Sequence, residues 1–214
     1  MKKAFTLGFS IVLFMFAIGA YLYPQLPDEV PTHWNDAGEV DGYMPKFWGI
    51  FLLPIMTFAI LLMFMVIPRV DPKKINLEKF MSYYEGMVIV FTGFMFYIFT
   101  LILMFSMGYV FNMFYAILPG MGFLFIYIGF MLERAKQNWF VGIRTPWTLS
   151  SERVWDKTHK LGGKLFKIAG ALTVLSIFVI EYAFWILMIS ILGVSFYLIV
   201  YSYFEYQKEV RKKK

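Results

Sequence analysis

The sequence predicts an all-α integral membrane protein, a six-helix transmembrane bundle with N- and C-termini cytoplasmic. Three observations carry that prediction. Of 214 residues, 60% are hydrophobic and 21% aromatic, and the mean hydropathy is +0.65, whereas soluble domains average roughly 45–50% apolar. The apolar residues fall into uncharged runs of about 20, the length a helix needs to cross a bilayer core. The Lys and Arg residues gather in alternate connections, as cytoplasmic loops do.

The first run, Phe5–Tyr23, follows Lys2 and Lys3 and stops at Pro24, which cannot continue helical hydrogen bonding. Ala17, Gly19 and Ala20 make a poor cleavage site and further spans follow, so the run reads as a retained span rather than a signal peptide. The second, Phe47–Ile67, closes at Pro68 and Arg69. The third, Tyr83–Met107, and fourth, Phe111–Leu132, are joined by a turn at Gly108–Asn112 so short that it predicts an antiparallel hairpin. The last apolar block, Leu165–Phe204, is too long for one span. Splitting it at Glu181–Tyr182 gives spans 165–180 and 182–204. With six spans and the N-terminus inside, Lys46 alone lies outside and the other 19 of the 20 Lys and Arg residues lie inside. Five spans would put the C-terminal Arg211–Lys214 outside, against the positive-inside rule. Residues 1–214 then form a single polytopic domain of the cell membrane, with the outer loop at 24–46 and the inner loop at 133–164.

Ionisable residues within the spans are few. Glu85 and Glu181 sit where interfaces are expected. Pro54 and Pro119 fall inside spans, and Gly86 and Gly93, one heptad apart, offer a face for close helix packing. The absence of cysteine excludes disulfides and thiolate chemistry. No span carries a metal-ligand pair at i, i+4, and no phosphate loop, G-x-S-x-G elbow or H-E-x-x-H motif occurs, so no cofactor is expected. The formal charge of +6 follows from membrane topology, so the bilayer is the expected partner and direct nucleic-acid binding is not.

The outer loop contains four prolines (Pro24, Pro27, Pro31, Pro45), with Gly38 and Gly42, and should be extended and turn-rich. Asn35–Gly38 and Asp41–Gly42 read as turns. Trp34, Tyr43 and Trp48 suit the headgroup interface. His33, Trp34, Asn35 and Gly38 are the candidate outer binding residues. His33, Asp36, Glu39 and Asp41 form a weak candidate metal cluster whose spacing matches no standard loop. An acidic lid over the helix ends is the plainer reading.

The inner loop is the longest polar stretch, NWFVGIRTPWTLSSERVWDKTHKLGGK from Asn138 to Lys164. Pro146 biases Thr145 toward extended backbone. Ser150 or Ser151 can cap a helix whose first turn holds Glu152. Val154, Trp155, Thr158 and Leu161 recur at helical spacing, predicting a short interfacial helix over Ser151–Leu161, broken at Gly162–Gly163 before span five. Arg153, Lys157, Lys160 and Lys164 suit anionic lipid. The candidate inner binding residues are Asn138, Arg144, Thr145, Pro146, Trp147, Trp155 and His159. A guanidinium among aromatic rings suits a fixed polar site or a docking surface.

The stretch Asn138–Gly163 resembles the signature of the SdpI family of bacterial membrane immunity proteins. Leu26–Tyr43, reading LPDEVPTHWNDAGEVDGY, resembles the motif of an N-terminal module that often accompanies it. The resemblance implies the six-span architecture, protection of the cell from a secreted peptide toxin outside, and relay of the toxin's presence by holding a transcriptional repressor at the membrane inside. It supplies no catalytic residues. Two other classes compete. A small transporter would be expected to carry more intramembrane charge. A membrane enzyme acting on lipid or peptide would need an acid, base or metal constellation, and has only His33 with its acidic neighbours, or His159 with Asp156, Arg144 and Glu133, to build it from.

Overall fold

The structure, a computed structural model, describes residues 2–35 and 37–212. Among the described residues six helices are long and apolar enough to cross a membrane, as expected. In chain order the elements are α1 (Lys2–Leu22), β1 (Glu29–Trp34), β2 (Val40–Pro45), α2 (Lys46–Val70), α3 (Lys74–Glu78), α4 (Met81–Ser106), α5 (Met113–Arg134), α6 (Pro146–Ser150), α7 (Glu152–Leu175), α8 (Ala183–Met188) and α9 (Val194–Lys212). The chain divides into two compact units, Met1–Met65 with Val88–Met121 and Val66–Met87 with Gly122–Lys214.

In the first unit a cluster of Met15, Leu26, Val30, Ile50, Phe99 and Leu103 is buried where α1, α2 and α4 meet the loop. The loop is a β-hairpin: β1 and β2 pair antiparallel, from Glu29 opposite Pro45 to Trp34 opposite Val40. Its extended character was expected. The Asp41–Gly42 turn was not realised, because both residues lie within β2. Val30 anchors the hairpin base. A Cβ on Gly49 would come within 1.9 Å of Val30 Cγ2, so α2 admits the valine only because residue 49 has no side chain. Burying such a side chain stabilises by roughly 1.5–3 kcal/mol. Between α4 and α5, Tyr109 N–H closes the short turn onto the Met104 carbonyl at 3.1 Å.

Helix α2 runs through Pro68 to Val70, past the expected end. Hydroxyls buried in the spans bond back to the preceding turn. Thr57 donates to the Leu53 carbonyl, Thr92 to that of Val88, and Thr173 to that of Ala169, at 2.7–2.9 Å.

In the second unit α7 runs unbroken from Glu152 to Leu175, which corrects the predicted break at Gly162–Gly163. Those glycines permit close approach rather than a turn. A Cβ on Gly163 would lie 2.7 Å from the Gly129 carbonyl oxygen, and one on Gly170 would lie 2.5 Å from that of Gly122. Two glycine pairs, each one heptad apart along its helix, therefore form the seam between α5 and α7. The pair picked out from the sequence behaves differently. Gly93 has open space where a side chain would be, and Gly86 makes room for Tyr127, whose hydroxyl donates to the Tyr83 carbonyl at 3.1 Å.

The last apolar block turns where expected. Val179 (φ −136°, ψ 55°) leaves the helix and a 3₁₀ turn follows at Ile180–Tyr182. The final span is not uniform: a π-helical segment, Ile189–Gly193, separates α8 from α9.

Candidate functional site

The polar segment after α5 is a folded platform. Asn138 is fully buried. Its Nδ2 donates to the carbonyls of Lys136 and Val141, each at 2.9 Å, and its Oδ1 accepts from the N–H groups of Phe140 (2.9 Å) and Val141 (2.6 Å). The side chain thus replaces a regular turn, and Gly142 supplies the positive φ (+112°) that ends it. Gln137 ties the platform to the connection before α4. Its Nε2 donates to the carbonyls of Thr148 (2.8 Å) and Leu149 (3.0 Å), and its Oε1 accepts from Lys73 Nζ. Asn76 donates to the Gln137 carbonyl at 2.8 Å, and buried Asp71 accepts from Trp139 N–H at 2.9 Å.

Within the stretch Arg144–Trp147, Pro146 and Trp147 are helical rather than extended, opening α6, and Thr145 is its extended N-cap (φ −99°, ψ 161°). Its hydroxyl accepts from Thr148 N–H at 3.1 Å, while Thr148 Oγ1 accepts from Thr145 N–H at 2.9 Å, a reciprocal cap. Pro146 takes the first helical position, where its missing donor costs nothing. Ser151 then caps α7 through Val154 N–H at 3.2 Å, as expected.

The first turns of α7 carry Glu152, Arg153, Asp156, Lys157, Lys160 and Lys164, so they lie outside the apolar stretch beginning at Leu165. Trp155 and His159 occupy the buried face. Trp155 Nε1 donates to the Ala135 carbonyl at 2.9 Å. His159 Nε2 accepts from Ile143 N–H at 2.9 Å, so Nδ1 carries the proton and donates to the Trp155 carbonyl at 2.9 Å. Burial lowers its pKa to about 4, outweighing the Trp155 hydrogen bond and the nearby Asp156 carboxylate. This imidazole is neutral and fully engaged with backbone, and it has no free nitrogen for proton transfer.

Of the seven inner candidates, Asn138, Thr145, Trp155 and His159 are buried and hold the platform together, whereas Arg144 and Pro146 are exposed and Trp147 partly so. Arg144 Nη1 donates to the Trp139 carbonyl at 3.0 Å. Trp147 packs edge-on against Tyr203 of α9, ring centroids 5.1 Å apart. Between α6 and α9 runs an open groove of about 480 Å³, floored by Leu198 and Ile199 with Arg144 at its edge.

The hairpin separates its four candidates in the same way. Asn35 Oδ1 accepts from Glu39 N–H at 2.9 Å and shapes the turn. Gly38 (φ +81°) is buried against Asn112, whose Nδ2 donates to the Ala37 carbonyl at 2.7 Å. Trp34 packs edge-on against Phe105 at 5.5 Å. His33 is exposed and pairs with exposed Asp41, Nδ1 to Oδ1, at 2.5 Å. Asp36 lies outside the described residues, and among the described residues no group of three or more His, Asp or Glu side chains is placed to hold a metal.

Residues 10–58 match a Domain of unknown function (DUF1648), and residues 134–202 match the SdpI/YfhL protein family. Immunity protein SdpI of Bacillus subtilis (strain 168) is 29% identical over 210 residues, covering 97% of this chain and 98% of that protein. The chain is thus similar to the SdpI family over residues 134–202 and to one of its members over nearly its whole length. No solved structure matches it. The segment matched by the SdpI/YfhL model spans both the platform and the wall of α9 that borders the groove.

Several residues that organise the site escaped the sequence reading. Asp71, Lys73 and Asn76 reach the platform from more than 60 positions away, a separation on which local spacing is silent. Glu205 is buried on α9 yet receives Lys157 and Lys208, while Ser151 donates to Glu209 at 2.6 Å. A carboxylate recurring at i+4 near a basic tail was the one available signal (Glu205, Glu209), and it also fits an ordinary solvated helix end.

Proposed function

We propose that the chain is an immunity protein that protects its cell from a secreted peptide toxin. The supporting observation is the end-to-end likeness to the Bacillus subtilis immunity protein, which takes in both the hairpin and the platform. Both termini lie in the cytoplasm on this reading, supported by the placement of 19 of 20 Lys and Arg residues. The hairpin then faces outward with exposed His33 and Asp41, and its acidic side chains steer a cationic peptide toward the membrane. The platform faces inward. Asn138, Thr145, Trp155 and His159 set its shape, and Arg144, Pro146 and Trp147 present the surface from which a cytoplasmic repressor would be held.

The test is a deletion strain challenged with the secreted peptides of neighbouring strains. Loss of the gene is expected to sensitise the cells to at least one peptide, and a plasmid copy to restore resistance. Unchanged sensitivity across the panel sinks the proposal. A reporter for the repressor's target genes separates relay from protection, because relay predicts that Arg144→Ala changes reporter output in cells that stay resistant.

A further inference from the structure

The groove between α6 and α9 joins an apolar floor to an exposed cation. Ile143, Pro146 and Trp147 form one wall, and Ser195, Leu198 and Ile199 the other. Leu198 is buried at the bottom while Ile199 remains 45% exposed beside it. Among the described residues no carboxylate pairs with Arg144. Its guanidinium is steadied through Nη1 on the Trp139 carbonyl, which leaves its other N–H donors directed away from that bond. A guanidinium held in this way presents a planar fork suited to phosphate.

The depth of the groove agrees with its chemistry. Helix α9 is apolar as far as Phe204 and first charged at Glu205. At 1.5 Å per residue, Leu198 lies about 10 Å from Glu205 toward the apolar side. The floor is therefore at acyl-chain depth and the open end at headgroup depth. Tyr203 and Trp147 stand at that boundary, where aromatic side chains with one polar end are favoured.

We infer that this groove binds one anionic phospholipid, its acyl chain along Leu198 and Ile199 and its phosphate on Arg144. The inference is independent of protection from the toxin, since it needs only the groove and a bilayer; it shares Arg144, Pro146 and Trp147 with the proposed repressor surface, of which a bound lipid would form part. The purified full chain in detergent is titrated with dioleoylphosphatidylglycerol or dioleoylphosphatidylcholine and read by native mass spectrometry. One phosphatidylglycerol should be retained with roughly five- to tenfold preference, the scale expected for a single interfacial cation. Arg144→Gln, on an exposed side chain, should abolish the preference without changing the unfolding midpoint, and Arg144→Lys should keep part of it. Ile199→Trp should lower retention of both lipids by filling the groove.

Equal retention of the two lipids by the unmodified protein, or an undiminished preference in Arg144→Gln, overturns the inference. Excess inorganic phosphate should leave the preference in place; its loss would assign the site to free phosphate. Benzoylphenylalanine placed at position 199 should crosslink to lipid in cell membranes. A crosslink to a protein, a second copy of this chain included, would give the groove to that partner instead.

Discussion

The ring of His159 lies on that of Trp155, centroids 3.8 Å apart and planes 15° from parallel. The stack joins two tasks. Trp155 reaches back to the end of α5 through the Ala135 carbonyl, and His159 reaches sideways to the loop through Ile143 N–H. One face of α7 thereby fixes both the start and the middle of the segment that precedes it.

His159→Phe would keep the stacked ring and leave the Ile143 N–H without its acceptor. A loss of about 1–3 kcal/mol is expected for an orphaned buried donor. It should appear as a lower thermal unfolding midpoint of the detergent-purified protein, and an unchanged midpoint would show that the bond contributes nothing.

The same imidazole predicts a pH dependence. Its folded pKa, about 4, is below the ordinary 6.5. Between those values the unfolded chain binds a proton that the folded chain refuses, so the stabilisation is complete above about 6.5 and is lost as pH falls toward 4. The total is on the order of 3 kcal/mol. Comparing unfolding midpoints of wild type and His159→Phe at pH 7 and 4.5 checks the sign: the wild type should lose more.

Glu205 sits between Lys157 of α7 and Lys208 of its own helix. Glu205→Ala should cost about 1–3 kcal/mol and speed amide exchange at the end of α9. In a cycle with Lys157→Ala the double variant should lose less than the sum of the singles, because both remove one interaction. Strict additivity would mean that the two groups act independently.

The α5–α7 seam tolerates no side chain. Gly170→Leu is expected to abolish folding or accumulation, since its Cβ alone would come 2.5 Å from the Gly122 carbonyl oxygen. Gly93→Ala, with open space at the same test, should be neutral or slightly stabilising. Membrane-fraction abundance of the two variants reads the difference, and equal levels would contradict the seam.

Asn112 connects the hairpin tip to the start of α5. Besides binding the Ala37 carbonyl it accepts from Tyr115 N–H at 3.1 Å. Asn112→Ala should cost about 1 kcal/mol as a lost cap and raise amide exchange at Ala37–Glu39. A Cβ on Gly38 would meet Asn112 Oδ1 at 2.2 Å, so Asn112→Ala should partly rescue Gly38→Ala. Absence of rescue would leave the strained φ as the whole cost.

Much of the fold was legible because lipid imposes a simple rule. Uncharged runs gave six spans, and the turn near Glu181 was found by the charge count rather than by any local breaker. The reading failed where a residue's meaning depends on what lies opposite. Gly162–Gly163 looks like a helix stop until Glu133 and Ile143 are seen against it. At the site, helical spacing picked out Trp155 and residue type picked out His159, but neither signal could distinguish a contact residue from a buried brace, since both call for an aromatic ring with a polar atom. The partners at Asp71, Lys73 and Asn76 follow only from folding.

The four seam glycines also govern where the chain can change length. Gly122 with Gly170, and Gly129 with Gly163, hold α5 and α7 in a single antiparallel register, so the platform between them is a strap buckled at both ends. One residue added inside α7 ahead of Gly170 would turn every later position by about 100° and bring Ala169 to the place of Gly170, driving its methyl group into the Gly122 carbonyl oxygen. A residue added within the strap would move neither buckle. Insertions and deletions in related chains should therefore collect in the strap and spare the two helices that bound it.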